Sequence, residues 1–453
     1  MTDCANLHKF QFPGMRKILL VLFLVFYLSD SGNAQIDTNT VVYSWKLDES
    51  LANRIRVDVD TALENFQSYN PAFRMYTGVQ TLGNYGLPAT SVVYTERPEN
   101  EEFLLINNFM PFMKQYQNTR YFNSRKPFTR LSYLKGGSNQ TKEEILNAFH
   151  SQNLTKTLNF GIHYTTIGSL GHYKFQKVKN NSFNFFSSLS GKLYSYQVSI
   201  NYNKIISDEN GGVPNDSLIT DSTFIRTKDI PTLFNGTESS IRHEPDVYNE
   251  IKNINILAVQ ELSFRNQPKV TETAPAERKK RIFYPKLVYI FNLDRTTRRF
   301  RDVNPQIGLD NGLYSNTYVS NVLTSDSLLH WKMGNAIRLQ FQGRRNNHYY
   351  VDYSYELMKY AITVKSHLHD SLIEDSFQHI NQPFSLTGIK YTSNMFNSYL
   401  SSGFSKIFAE RLDMNLYGRY FFTGYRTGDT GRQGNKPILY PAGGAANNPL
   451  AEP

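Results

Sequence analysis

The chain has 453 residues and a formal net charge of +10, with 30 Tyr and 31 Phe against 2 Trp. Its one cysteine, Cys4, excludes a disulfide framework, a cysteine metal site and a thiol nucleophile anywhere in the body of the chain. Mean hydropathy is −0.47 and no run beyond residue 34 approaches the roughly 18 apolar residues of a membrane helix, which excludes a helical membrane protein.

The hydrophilic residues 1–14 read as a gene-model extension, with Met15 the expected start. Arg16 and Lys17 precede the apolar run Ile18 to Leu28, and Ser31-Gly32-Asn33-Ala34 follows it. A basic start, a short apolar stretch and small residues before a cut form a secretory signal, here residues 15–34 with cleavage after Ala34. Gln35 would then lead the mature chain, and no cysteine follows the cut to carry a lipid. Residues 35–70 are expected as a periplasmic or lumen segment.

From there a two-residue period recurs, the mark of strands with one apolar and one wet face. Phe160, Ile162 and Tyr164 oppose Gly161, His163 and Thr165. In 192–204, Tyr194, Tyr196, Val198, Ile200 and Tyr202 oppose Ser195, Gln197, Ser199, Asn201 and Asn203. Ile337, Leu339 and Phe341 oppose Arg338, Gln340 and Gln342; Tyr349, Val351, Tyr353 and Tyr355 oppose Asp352, Ser354 and Glu356. Leu412, Met414, Leu416 and Tyr420 oppose Asp413, Asn415 and Arg419. Weaker alternation marks 72–80, 89–96, 127–135, 143–152, 180–189, 253–265, 284–294, 314–320, 383–392 and 397–408. Gly136-Gly137, Asn210-Gly211-Gly212, Asn235-Gly236 and Asp310-Asn311-Gly312 supply turns between strands.

This is an all-β chain, and its faces separate two architectures. A soluble sandwich buries Leu, Val and Ile on its apolar face and needs linkers to divide so long a chain. Here the apolar faces carry Tyr and Phe, as at membrane interfaces, and the other faces carry Arg, Asp, Glu, Gln and Asn in mid-strand. The expected fold is a single antiparallel transmembrane β-barrel over residues 71–428, closed because an unpaired edge in lipid leaves backbone groups unsatisfied. The polar stretch 207–250, with Pro214, Pro231 and Pro245, is expected as a long loop, either a surface loop or a constriction.

The segment "VDVDTALENFQSYNPAFRMYTGVQTLGNYGLPA" resembles the opening of the putative porin family of Bacteroidetes outer membranes. The matching residues are Asp60-Thr61, Leu63, Phe66-Gln67, Tyr69-Asn70-Pro71, Leu82-Gly83-Asn84, Gly86 and Pro88. Asn118-Thr119-Arg120, Pro127-Phe128-Thr129, Tyr133, His150, Gln152-Asn153 and Glu209 to Gly212 continue the likeness in order. The resemblance implies a barrel of roughly 14–18 strands in a complete member. It also implies location in the outer membrane of a Gram-negative bacterium and passage of small solutes. Its partners would be outer-membrane lipids, small hydrophilic solutes and the barrel-assembly machinery, and it carries over no catalytic residues. Such barrels end on an aromatic-terminated strand, whereas this sequence ends "NKPILYPAGGAANNPLAEP". Residues 429–453 are therefore expected as an irregular tail, a truncation or a reading-frame artefact.

Enzyme chemistry has no footprint: the phosphate-binding G-x-x-x-x-G-K-[ST], the zinc H-E-x-x-H and the hydrolase G-x-S-x-G are all missing. No spacing singles out a Ser–His pair. Asp58 and Asp60 lack the Gly and Glu of a calcium loop, and His367 and His369 make at most a two-point metal contact. No cofactor or metal is expected. The basic clusters Arg278 to Arg281, Arg298-Arg299 with Arg301, and Arg344-Arg345 lie beside turns and loops. Behind a secretion signal they read first as solvated loop and turn charges, with contacts to anionic headgroups or solutes as the alternative, rather than as a nucleic-acid site. The pattern fixes no oligomeric state.

The sequence thus points to a non-enzymatic, passive outer-membrane channel. Its candidate lumen-lining residues are Gln197, Asn201, Arg338, Gln340, Asp352, Glu356 and Arg419. Arg338 and Arg419 set against Asp352, Glu356 and Asp413 give an expected weak anion preference. The alternative is a non-channel barrel serving secretion, adhesion or envelope architecture, in which residues 36–70 or 207–250 would fill the interior.

Overall fold

A computed structural model describes residues 42–48, 50–51, 54–57, 59, 70–97, 102–233, 247–264, 284–302, 324–342, 348–364, 389–408, 412–424, 430–434 and 438–439. Asp58, Asp60, His367, His369, the clusters at 278–281 and 344–345, the expected strand 314–320 and the signal segment all lie outside the described residues.

The chain opens with β1 (Val42–Leu47) and β2 (Arg54–Arg56), a short helix Pro71–Met75, then β3 (Val79–Thr81) and β4 (Ala89–Ser91). A run of 3-10 turns over Leu104–Phe112 and Tyr116–Asn118 leads to β5 (Tyr121–Ser124). The large sheet follows: β6 (Phe128–Gly136), β7 (Glu143–Asn153), β8 (Leu158–Ser169), β9 (Val178–Ser190), β10 (Tyr194–Asp208) and β11 (Val247–Ser263). It continues through β12 (Tyr284–Asp302), β13 (Thr324–Gln342), β14 (His348–Val364), β15 (Ile389–Phe408), β16 (Leu412–Gly424), β17 (Thr430–Gly434) and β18 (Ile438–Leu439). The short strands β17 and β18 lie within the stretch expected as an irregular tail.

Eleven long strands, β6 to β16, pair antiparallel with their sequence neighbours, and β17 and β18 add to β16, making 13 in the sheet. Among the described residues β6 and β17 end the path and are not paired with each other. Strands β10 to β15 run 15 to 20 residues. Roughly 9–11 suffice to cross a bilayer when tilted, so these strands exceed that length. At one end four connections are short, at 154–157, 191–193, 343–347 and 409–411, and the fifth is 264–283; at the other end they reach 209–246, 303–323 and 365–388. Residues 207–250 therefore divide into the end of β10, a long loop and the start of β11.

The sheet is built inside out relative to a water-soluble one. On β10, Ile200 and Tyr202 are 37% and 38% exposed, while Gln197, Ser199, Asn201 and Asn203 are fully buried. Tyr349, Val351, Tyr353 and Tyr355 on β14, and Ile337 and Leu339 on β13, are likewise exposed, with Asp352, Arg338 and Gln340 buried. An apolar outer face and a polar inner face are what lipid outside demands, and a sandwich core would reverse them.

What buries the inner face is the chain's own beginning. Residues 71–127, which the sequence places in the barrel, contribute no strand to the large sheet. The expected strands 72–80 and 89–96 are corrected accordingly: they hold a five-residue helix, the three-residue pair β3–β4 and a 3-10 turn. Near the short-turn end, Trp45, Leu47, Tyr121 and Phe122 pack on Phe149, Phe186, Leu257, Val259, Val288 and Ile290. Towards the other end, Leu87, Ile106, Phe109 and Met113 meet Val178, Ile205 and Ile251. Burying each large side chain contributes about 1.5–3 kcal/mol, so this segment is core. Gly161 leaves the space that its cross-strand partner Phe186 fills, since any Cβ there would strike the Phe186 ring.

Candidate functional site

The inner face divides into two walls that hold the inserted segment differently. The first is an amide shelf on β9 to β11. Alternation puts Asn180, Ser182 and Asn184, Ser199, Asn201 and Asn203, and Asn253 and Asn255 on one face, and register sets Asn201 between Asn184 and Asn255. Asn184 donates to Asn201 and Asn201 to Asn255, both at 2.8 Å; Asn255 donates to Asn253 at 2.7 Å. The remaining capacity of the shelf goes to the main chain of residues 112–116. Asn180 donates to the Phe112 carbonyl at 2.8 Å. Asn203 accepts the Lys114 N–H at 2.8 Å and donates to the Lys114 carbonyl at 2.9 Å. Asn255 donates to that carbonyl and accepts the Tyr116 N–H, each at 3.0 Å. The Thr119 and Ser199 hydroxyls complete the contact at 2.7 Å.

Lys114 turns its ammonium toward the His163 ring, 3.0 Å from Nδ1. Burial, with Arg130 adding, pushes its pKa down to about 7. Burial pushes the Tyr116 phenol up to about 12.

The second wall, on β13 to β16, is charged. Arg338 and Asp352 are cross-strand partners, and both are buried. Arg338 donates to Asp352 Oδ2 through Nη2 at 2.6 Å and Nε at 3.0 Å, and through Nη1 to the Ser50 carbonyl at 2.6 Å. Its guanidinium stacks 4.1 Å from the centroid of Tyr350, which itself lies over Gly403. Ser401 donates to Asp352. Lys332 meets Glu102 of the inserted segment at 2.7 Å and Glu356 at 3.4 Å. Tyr399 donates to Glu356 at 2.9 Å, and the Arg419 guanidinium sits 4.6 Å from the Tyr399 ring centroid.

All seven residues singled out from the sequence stand on this inner face. Arg338 and Asp352 touch each other, Glu356 and Arg419 share Tyr399, and Gln340 is buried beside them on β13. Gln197 and Asn201 belong to the amide shelf, and Gln197 presents its carbonyl to Arg54 Nε at 2.8 Å when its amide is turned to satisfy both groups. The sequence reading missed Asn180, Asn203, Asn253 and Asn255 as binding groups, along with Ser50, Glu102 and Lys114 opposite them. It also missed the apolar patches among the polar positions. Leu257 and Val259 fall on the inner face while Ile256 and Ala258 fall outside, so residues 256–259 read apolar without a break. An unbroken apolar run in a chain of alternating strands signals a strand covered on both sides, and that signal was present.

Among the described residues no group of three or more His, Cys, Asp or Glu is placed to hold a metal ion, and no helix is long and apolar enough to cross a membrane. Polar inner face, apolar outer face and antiparallel meander together define an all-β, barrel-like fold. A family-wide sequence model described as putative porin matches residues 41–438. The chain belongs to that family. No curated protein matches it.

Proposed function

We propose that the protein is an outer-membrane channel for passive diffusion of small hydrophilic solutes, held narrow at rest by its own residues 42–124. The observation that carries this reading is the inverted sheet: exposed Ile200, Tyr202, Tyr349 and Tyr353 outside, buried Gln197, Asn201, Arg338 and Asp352 inside. A polar inner wall hydrates a permeating solute, and an apolar outer wall suits acyl chains. The seven inner residues would line the path, and outer-membrane lipids, small solutes and the assembly machinery would be the partners. Solute would pass along the walls where the inserted segment shifts, with no bond made or broken. Export would depend on residues 15–34 and cleavage after Ala34.

A second reading draws on the inserted segment itself. Trp45, Tyr121 and Phe122 in the interior suit a non-channel barrel serving secretion, adhesion or envelope architecture. Liposome swelling separates the two. Sugars entering reconstituted vesicles at rates that fall with sugar size are expected for the channel; exclusion of every sugar, with heat-modifiable migration proving a folded barrel, would contradict it.

A further inference from the structure

The amide shelf recognises main chain. Asn180 and Ser182 both donate to the Phe112 carbonyl, and Asn203 closes both bonds of residue 114. Asn255 bridges the carbonyl of 114 and the N–H of 116. These are the two ways in which one peptide group meets a neighbouring β-strand. Both bonds to one residue make an antiparallel narrow pair, and bonds to i and i+2 make a parallel bridge. Met113 and Gln115 have extended backbone between the two 3-10 turns, and the contacts step 112, 114, 116 along that short link with the two-residue repeat of extended chain. None of these bonds uses a side chain of the bound segment. The amides are held in place by one another, through Asn184, Asn201 and Asn253, and Asn203 and Asn255 are fully buried. Buried amides left without partners are costly, so a shelf vacated by its occupant favours a ligand offering the same alternation of donor and acceptor.

We propose that this shelf is a binding site for a short stretch of extended polypeptide backbone, occupied here by the link at residues 112–116, and that it takes another extended peptide when that link is displaced. The inference rests on the channel reading and deepens it, naming extended peptide as the ligand class.

The test uses the full chain in lipid nanodiscs and two fluorescein-labelled twelve-residue probes, one of Ser and Thr, one of Gln and Val, with maltoheptaose as a competitor. The resident segment acts at an effective concentration near millimolar, so wild type is expected to bind either probe only in that range. Two variants open the shelf. Lys114→Pro removes the N–H that Asn203 accepts, and Met113→Ser withdraws a buried anchor while keeping every backbone group. Both probes should gain about tenfold or more in affinity in either variant. Adding Asn203→Leu with Asn255→Leu should return them to the wild-type range. The proposal is overturned by no gain in a variant whose heat-modifiable migration shows a folded barrel, or by a gain indifferent to the two asparagines. Displacement of the probes by maltoheptaose at comparable concentration overturns it in favour of a saccharide site. Probe binding in a preparation without conductance supports the inference and removes the channel reading. Conductance without probe binding does the reverse.

Discussion

Strands β9 to β11 hold residues 112–119 with uncharged amides, whereas β13 and β14 hold Ser50 and Glu102 with charge. At the shelf, the contacting donors and acceptors are uncharged and the asparagines fully buried, so salt does not reach the contact directly. At the charged wall, Arg338 and Asp352 are equally buried, but their contribution depends on both being present. Lys332 and Glu102 are more open, with Glu102 37% exposed, and salt screens them. One segment is therefore fixed along one side and adjustable along the other, which is what a movable occupant of a channel requires.

The contrast breaks most sharply at Arg338. Arg338→Ala strands the buried Asp352 carboxylate and should cost about 3–5 kcal/mol in urea unfolding from lipid. The double variant Arg338→Met with Asp352→Leu should recover most of that loss, because neither charge then remains buried.

Lys114 brings a titratable group to the uncharged side. Its folded pKa of about 7 lies below the unfolded value near 10.4, so between those values the unfolded state binds the extra proton. Stability should therefore be lowest and level below pH 7, and rise by on the order of 5 kcal/mol as pH climbs to about 10.4. Unfolding midpoints across that range measure it, and Lys114→Met should flatten the curve.

A smaller effect is expected for Asn203→Leu, about 1–3 kcal/mol, because it removes three bonds and leaves the Lys114 N–H buried without its acceptor. It should be insensitive to salt from low to molar concentration. Glu102→Gln sits at the other extreme. It should cost about 0–1 kcal/mol, and only at low ionic strength, as thermal midpoints at two salt concentrations would show.

Much of the fold was legible because strand alternation is local. The faces of 194–203, 337–340 and 349–355 stand as their spacing requires, Asn210 to Gly212 fall between strands, and Gly136-Gly137 straddle the end of β6. The inserted segment was not legible. Its 3-10 turns over Leu104–Phe112 have no lasting period, and Val79–Thr81 and Ala89–Ser91 are too short for alternation to tell them from barrel strands. Asn203 could be read as polar-face, but that its amide would meet Lys114 depends on a contact 89 residues away in sequence. Arg338 and Asp352 were each visible as inner-face charges. Their pairing follows from register rather than composition.

The central claim is that residues 42–124 occupy the conducting path and that solute passes when they shift. Thr119 and Ser199 provide the direct test, because their hydroxyls lie 2.7 Å apart across the contact between segment and wall. Cysteines at both positions, in a Cys4→Ser background, should form a disulfide that pins the segment to β10. Planar-bilayer conductance should be low while the bridge is oxidised and should step up on reduction with dithiothreitol. Equal conductance in the two states, with the bridge confirmed by mass spectrometry, would contradict the account.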